Sequence, residues 1–248
     1  MSSEKSVQQY VIRSYECDRN NNLRILTLLN IFQDMADNDA MKHGFGLEFC
    51  IKNGMTWVGS NYELEINRLP KMHEKITIKT WPSGKDKFFA YRDFEVFGED
   101  ESLIIRATSQ WLLISLERKR PLSVQEHLAF HHPLDQHAIE TDFPKIDEVK
   151  EADETYKFRV RFDDIDLNKH INNAVYILWA TEAVEPDFRL NHNPAKIRIN
   201  FRKEGYMGEK IVVMTKTKDE QSVHSIQTYD SESDRELARV VIDWKPTN

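Results

Sequence analysis

Asp166, Asn168 and His170 occupy alternate positions in the stretch Asp164-Ile-Asp-Leu-Asn-Lys-His-Ile-Asn-Asn-Ala-Val-Tyr176. In an extended segment, alternate side chains share a face, so the pattern gathers an acid, an amide and an imidazole in one place. Asn172 or Asn173 is a natural cap for a following helix. The free N–H groups and positive dipole end of such a helix can polarise a carbonyl and stabilise the oxyanion formed when a nucleophile adds to it. A histidine set in a polar loop beside an acid and an amide is read as functional rather than structural. The run Asp164-x-Asp166-x-Asn168 imitates the start of a calcium loop, but that loop needs Gly at its sixth position and Glu at its twelfth, which here are Lys169 and Val175. His127, His131, His132 and His137 lie in a stretch with no cysteine and no firm helical frame, so they are read as solvated loop residues and no metal site is expected.

The elements that would position this set occur twice. Residues Tyr62 to Thr80 alternate apolar and polar around a Pro-containing break, as two strands joined by a turn do, and residues Ile197 to Thr215 repeat the pattern without a gap. Met72, Glu74, Lys75 and Ile76 recur there as Met207, Glu209, Lys210 and Ile211. Glu101 to Trp111 likewise parallels Asp234 to Trp244. So long a period means duplicated domains and not a solenoid, whose repeats run about 20 to 50 residues.

Each copy opens with a helical pattern. Ile25, Leu28, Leu29, Phe32, Met35, Ala36 and Ala40 are spaced by threes and fours up to Gly44, and Val175, Leu178, Trp179 and Ala183 do the same before Pro186. Strands are expected at Ile76 to Thr80, Phe88 to Phe97 and Leu103 to Ser115, with counterparts in the second half. The order is short strand, long helix, then antiparallel strands, an α+β arrangement in which a half-apolar sheet covers the apolar helix face. The expected domains are 1–140 and 150–248, joined through the charged, Pro-containing stretch His127 to Glu154.

The charged share of 30% and the hydrophobic share of 40% in 248 residues describe a packed globular chain. A net charge of -7 argues against bulk nucleic-acid binding. The polar start Met1 to Gln9 lacks the apolar core of a signal peptide and no apolar run spans a bilayer. Together with only Cys17 and Cys50, this reads as a cytoplasmic protein in a reducing compartment.

The segment Asp164 to Ile177 resembles the active-site segment of the acyl-acyl carrier protein (acyl-ACP) thioesterases of plant plastids and bacteria. Thr56-Trp-Val58, Glu63-Leu-Glu-Ile-Asn-Arg-Leu-Pro70, Thr80-Trp81 and Arg106-Ala-Thr-Ser-Gln-Trp111 resemble that family's N-terminal domain, so the likeness spans roughly residues 8 to 245. It implies a tandem double hot-dog, two long helices each wrapped by antiparallel sheet with the sheets joined, and hydrolysis of fatty acyl-ACP to free fatty acid and holo-ACP with no cofactor. It places catalysis on Asp166, Asn168, His170 and Glu204, the last on the strand that includes Asn200. The plant enzymes often carry Cys after that Glu; here the residue is Gly205, which excludes a Cys-His route and favours attack by water.

On this reading the carbonyl oxygen faces N–H groups near Asn172 and Asn173. Asp166, Glu204 or His170 serves as base, a carboxylate needing burial to raise its pKa for the task, and attack by Asp166 itself stays open. Phe32, Met35, Trp57 and Val58 of the first domain form an acyl slot or else ordinary core. Arg159, Arg161, Lys196, Arg198, Arg202 and Lys203 offer a landing patch for the acidic carrier with its acyl phosphopantetheine thioester. Acyl-CoA hydrolysis and a non-catalytic acyl-carrier binding module are the competing readings, and a homodimer is open.

Overall fold

The computed structural model describes residues 4–247, and the chain divides into two compact units between Asp142 and Phe143. Each is built in the same order. The first holds β1 (Ser6–Val11), a 3-10 turn (Ser14–Glu16), α1 (Ile25–Lys42), α2 (Leu47–Lys52), β2 (Met55–Ile66), β3 (Lys75–Lys85), β4 (Phe89–Phe97), β5 (Leu103–Ser115) and α3 (Val124–His127). Its strands run β1-β3-β4-β5-β2, all antiparallel. The second holds β6 (Glu154–Arg159), a 3-10 turn (Phe162–Asp164), α4 (Asn173–Glu182), α5 (Pro186–Asn191), β7 (His192–Phe201), β8 (Lys210–Lys218), β9 (Gln221–Thr228) and β10 (Glu236–Pro246). Here the order is β7-β10-β9-β8-β6, again antiparallel.

The apolar spacing of α1 does what it predicts: Ile25, Leu28, Leu29, Phe32, Met35, Ala36 and Ala40 are buried. Phe32 stacks on Phe94 of β4 at 4.3 Å between ring centroids, and full burial of a side chain this size stabilises by about 1.5–3 kcal/mol. Asp39, on the same face, is wholly buried and takes Arg92 Nη1 at 2.8 Å and the Ser6 hydroxyl at 2.6 Å, tying the helix to β4 and β1. α4 is shorter and buried on nearly every side. Its Trp179 packs on Phe158 of β6 at 4.7 Å and its Tyr176 meets Phe201 of β7 edge-on. The helix stops before Pro186, which opens α5 under a Glu185 cap.

The connection expected between the domains is hydrogen-bonded to each unit on its own side of the division. In the first unit Trp81 donates to the Gln136 carbonyl at 2.7 Å and the Ala138 N–H donates to buried Asp93. In the second, the Ile146 N–H reaches Asn200 Oδ1 and the Val149 N–H reaches Ser225 Oγ, both at 2.8 Å. His131 is not a solvated loop histidine: it is buried, its ring 4.4 Å from that of Phe45. No group of three or more His, Cys, Asp or Glu among the described residues is placed to hold a metal, and no described helix is long and apolar enough to cross a membrane.

Candidate active site

The segment Asp166 to His170 is a tight turn, not the extended stretch that alternation suggested. An isolated bridge pairs Ile165 with Ile171, and Lys169 sits at φ 66° to reverse the chain. The Asp166 N–H donates to the His170 carbonyl at 2.8 Å and the Lys169 N–H to the Asp166 carbonyl at 3.0 Å. Asp166 Oδ1 accepts the N–H groups of Asn168 (2.8 Å) and His170 (3.2 Å), while Asn168 Nδ2 lies 3.5 Å from Oδ2. Acid, amide and imidazole do meet, but through side-chain bonding to the turn's own backbone.

Glu204 lies past the end of β7, in the turn toward β8, and not on the strand. The Ile171 N–H donates to the Gly205 carbonyl at 2.9 Å, which seats the two loops side by side. His170 Nε2 then stands 3.4 Å from Glu204 Oε2. The Tyr206 hydroxyl donates to that same oxygen at 3.2 Å, and its ring meets the imidazole edge-on at 5.3 Å. Arg235 covers Tyr206 at 5.6 Å, donating to the Glu204 carbonyl and to Glu209, which in turn accepts the Tyr206 N–H. Partial burial and Glu204 push the Tyr206 hydroxyl up, so it stays a donor. The Glu204 side chain is 47% exposed. Tyr206 escaped the sequence reading because an aromatic two residues after an acid has no periodic or motif signal.

At the head of α4, Asn172 is the cap, its side chain accepting the Ala174 N–H at 2.9 Å. Its own N–H goes to the Asp164 carbonyl and that of Val175 to the Asn172 carbonyl. The N–H at Asn172 is therefore committed, and the one at Asn173, with no acceptor among the described residues, is the donor left for an oxyanion.

The first unit contains the same loop without the chemistry. Asp18 Oδ1 accepts the N–H groups of Asn20 and Asn22 at 2.8 and 2.9 Å, Cys17 bridges Leu23, Asn21 takes φ 63°, and the Leu23 N–H donates to Pro70. Even the preceding 3-10 turn recurs: Glu16 accepts the Arg13 N–H as Asp164 accepts that of Arg161, both at 2.8 Å. Asp166 and Asn168 thus have counterparts in Asp18 and Asn20. His170 is matched by Asn22, Glu204 by Leu69 and Tyr206 by Lys71. The imidazole, its carboxylate and the phenol are what the second unit adds.

Arg159 and Arg161 stand at the end of β6, while Lys196, Arg198, Arg202 and Lys203 lie on and after β7. β6 and β7 are the two outer strands of the unit's own sheet, and Arg159 Nε donates to the Gly208 carbonyl at 3.0 Å, in the loop that follows Lys203. Arg161 is bound to Asp164 and Arg202 to Glu236, both within 2.9 Å. In the first unit Phe32 and Met35 belong to the packed core. Trp57 lines a cavity of about 80 Å³, and Val58 is its half-buried neighbour on β2.

Residues 3–130 match the acyl-ACP thioesterase N-terminal domain and residues 147–246 the C-terminal domain. The chain belongs to the acyl-ACP thioesterase family. Among similar proteins, a chloroplastic acyl-acyl carrier protein hydrolase of Cuphea viscosissima is 28% identical over 97% of this chain. The chloroplastic oleoyl-acyl carrier protein thioesterase of Coriandrum sativum is 26% identical over 79% of it. The chain spans 62% and 58% of the lengths of these two relatives. An acyl-ACP thioesterase from Bacteroides thetaiotaomicron superposes with a TM-score of 0.86 at 21% identity, covering 97% of this chain and 98% of that one. The 12:0-ACP thioesterase from Umbellularia californica gives 0.85 at 21%, covering 98% of each. The fold is accordingly the tandem hot-dog expected of an acyl-ACP thioesterase.

One departure from the plant members of the acyl-ACP thioesterase family has a packing cause. A Cβ built on buried Gly205 would lie 2.3 Å from Ile171 Cδ1 and 3.0 Å from Leu237 Cδ1. The glycine lets Ile171 close over the loop junction that carries Glu204.

Proposed function

We propose that this chain hydrolyses fatty acyl-ACP thioesters to free fatty acid and carrier thiol in the cytoplasm, a step that ends fatty acid synthesis. The first unit takes the acyl tail and the second performs the chemistry. The observation that supports this best is the His170–Glu204 pair, steadied by Tyr206 and set beside the head of α4, on a loop whose twin in the first unit lacks all three groups.

His170 is the general base, the side chain that most often moves a proton near neutrality. Glu204 orients the ring through Nε2 and stabilises the imidazolium once formed, as an acid beside a catalytic histidine does. Water gives its proton to His170 as its oxygen bonds to the thioester carbon. The carbonyl electrons move to oxygen, met by the Asn173 N–H and the Asn168 amide. On collapse the C–S bond breaks and the leaving thiolate recovers the proton from His170. Asp166, shared in kind with the first-unit loop, is a positioning residue that builds the turn. The exposed cations Arg159 and Lys203 are available to an acidic carrier from either side of the site. A dimer is compatible with this scheme and not required by it.

Thiol release from matched acyl-ACP and acyl-CoA esters tests the reading. Rapid turnover of the carrier esters, with slower turnover of CoA esters, is expected. Preference for CoA would reassign the substrate, and no release from either would leave an acyl-binding module.

A further inference from the structure

The cavity of the first unit is lined mainly by carbon, from residues such as Ala40, Phe45, Trp57, Trp111, Val124 and Leu128. Most polar side chains in its wall are engaged elsewhere. Lys85 Nζ donates to the carbonyls of Leu128 and His131 at 2.6 Å each, and Arg92 is held by Asp39. Tyr91 donates to Asp86, and the two indoles donate to the Phe45 carbonyl and to Ser109 Oγ. One group differs. His131, only 8% exposed, keeps Nε2 buried with no hydrogen-bond partner.

An unsatisfied buried polar atom destabilises the folded chain, and a ligand that satisfies it recovers that cost. Burial, with His43, Lys85 and Arg92 close by, pushes the His131 imidazole down to about 4, so the ring is neutral at pH 7. A neutral ring nitrogen donates or accepts according to tautomer, and a hydroxyl answers both. A cavity of about 80 Å³ is roughly half the engineered void of about 150 Å³ that holds benzene, which leaves room for the last few carbons of a chain.

We propose that this cavity seats the distal end of an acyl chain bearing an oxygen near its methyl terminus, a hydroxyl above all, with His131 Nε2 as the hydrogen-bond partner that selects it. The proposal rests on the thioesterase reading and names its substrate class. A site that hydrogen-bonds a substrate hydroxyl discriminates strongly against the analogue lacking it, because its own polar group is then left unpaired.

The test compares carrier thioesters of equal chain length, unsubstituted or hydroxylated at the terminal or penultimate carbon, with wild type and His131→Phe. In wild type kcat/KM should favour a hydroxylated chain by about tenfold or more. The variant should lose that preference and gain on the unsubstituted chain. Equal rates in wild type, or a preference that survives His131→Phe, would overturn the assignment while leaving the thioesterase intact. A second readout needs neither the variant nor turnover: the 15N resonance of His131 Nε2, followed as terminally hydroxylated and plain fatty acids are added. A shift with the hydroxylated acid alone is expected, and no shift overturns the proposal even in an active enzyme. Release from none of the thioesters would fell the thioesterase reading, with the resonance still deciding the cavity.

Discussion

At the scale of single residues, the site separates into what the turn needs and what the reaction needs. Asp166 and Asp18 each accept two backbone N–H groups through one carboxylate oxygen. Asn supplies the same acceptor, so Asp166→Asn should keep the fold and much of the rate, whereas Asp166→Ala should cost about 1 kcal/mol in denaturation and a far larger share of activity. Glu204→Gln removes the charge that orients and stabilises His170 and should lower kcat by about 10²-fold or more with little change in KM. Tyr206→Phe keeps the ring contact and deletes one hydrogen bond. A loss of about three- to tenfold in kcat is expected, because the carboxylate oxygen facing His170 loses a donor. Gly205→Cys would force Ile171 aside and should destabilise by about 1–3 kcal/mol without adding a Cys-dependent route; insensitivity of its remaining rate to thiol alkylation checks this.

Among elements, the sequence was most readable where one periodicity dominated. The buried face of α1 and the strands β3 to β5 follow from spacing alone, because a half-buried helix or strand writes its exposure into its pattern. Loops are written in other terms. Alternation placed Asp166, Asn168 and His170 together, yet the turn that joins them rests on a left-handed Lys169 and side-chain acceptance of backbone N–H groups, neither of which has a period. His131 read as solvated because its stretch offered no cysteine and no firm helical frame, although packing against Phe45 buries it. The twin loops make an element-level expectation: Asp18→Ala should destabilise about as much as Asp166→Ala in a denaturation midpoint, yet leave kcat nearly unchanged.

For the whole molecule, the duplicated fold carries buried histidines whose titration limits stability in acid. His224 on β9 is wholly buried between the hydroxyls of Thr215 and Ser222, and burial pushes it down to about 3. Its folded pKa lies below the unfolded value of about 6.5, so its contribution is complete above that value and is lost as pH falls from about 6.5 toward 3. His131 acts in the same direction down to about 4. Between pH 7 and 5, above the range of most carboxylates, each should remove roughly 1–2 kcal/mol. Urea midpoints at the two pH values check this, and His224→Gln should flatten the dependence.

The central claim is that an imidazole added to a duplicated turn makes the second unit catalytic. His170→Asn tests it most directly, because it restores the residue type that Asn22 supplies in the first-unit loop. Single-turnover thiol release from an acyl-ACP ester should fall by at least about 10²-fold while the thermal midpoint stays within a few degrees. A variant as stable as wild type that releases thiol within threefold of the wild-type rate would contradict the claim and return the role of base to Asp166 or Glu204.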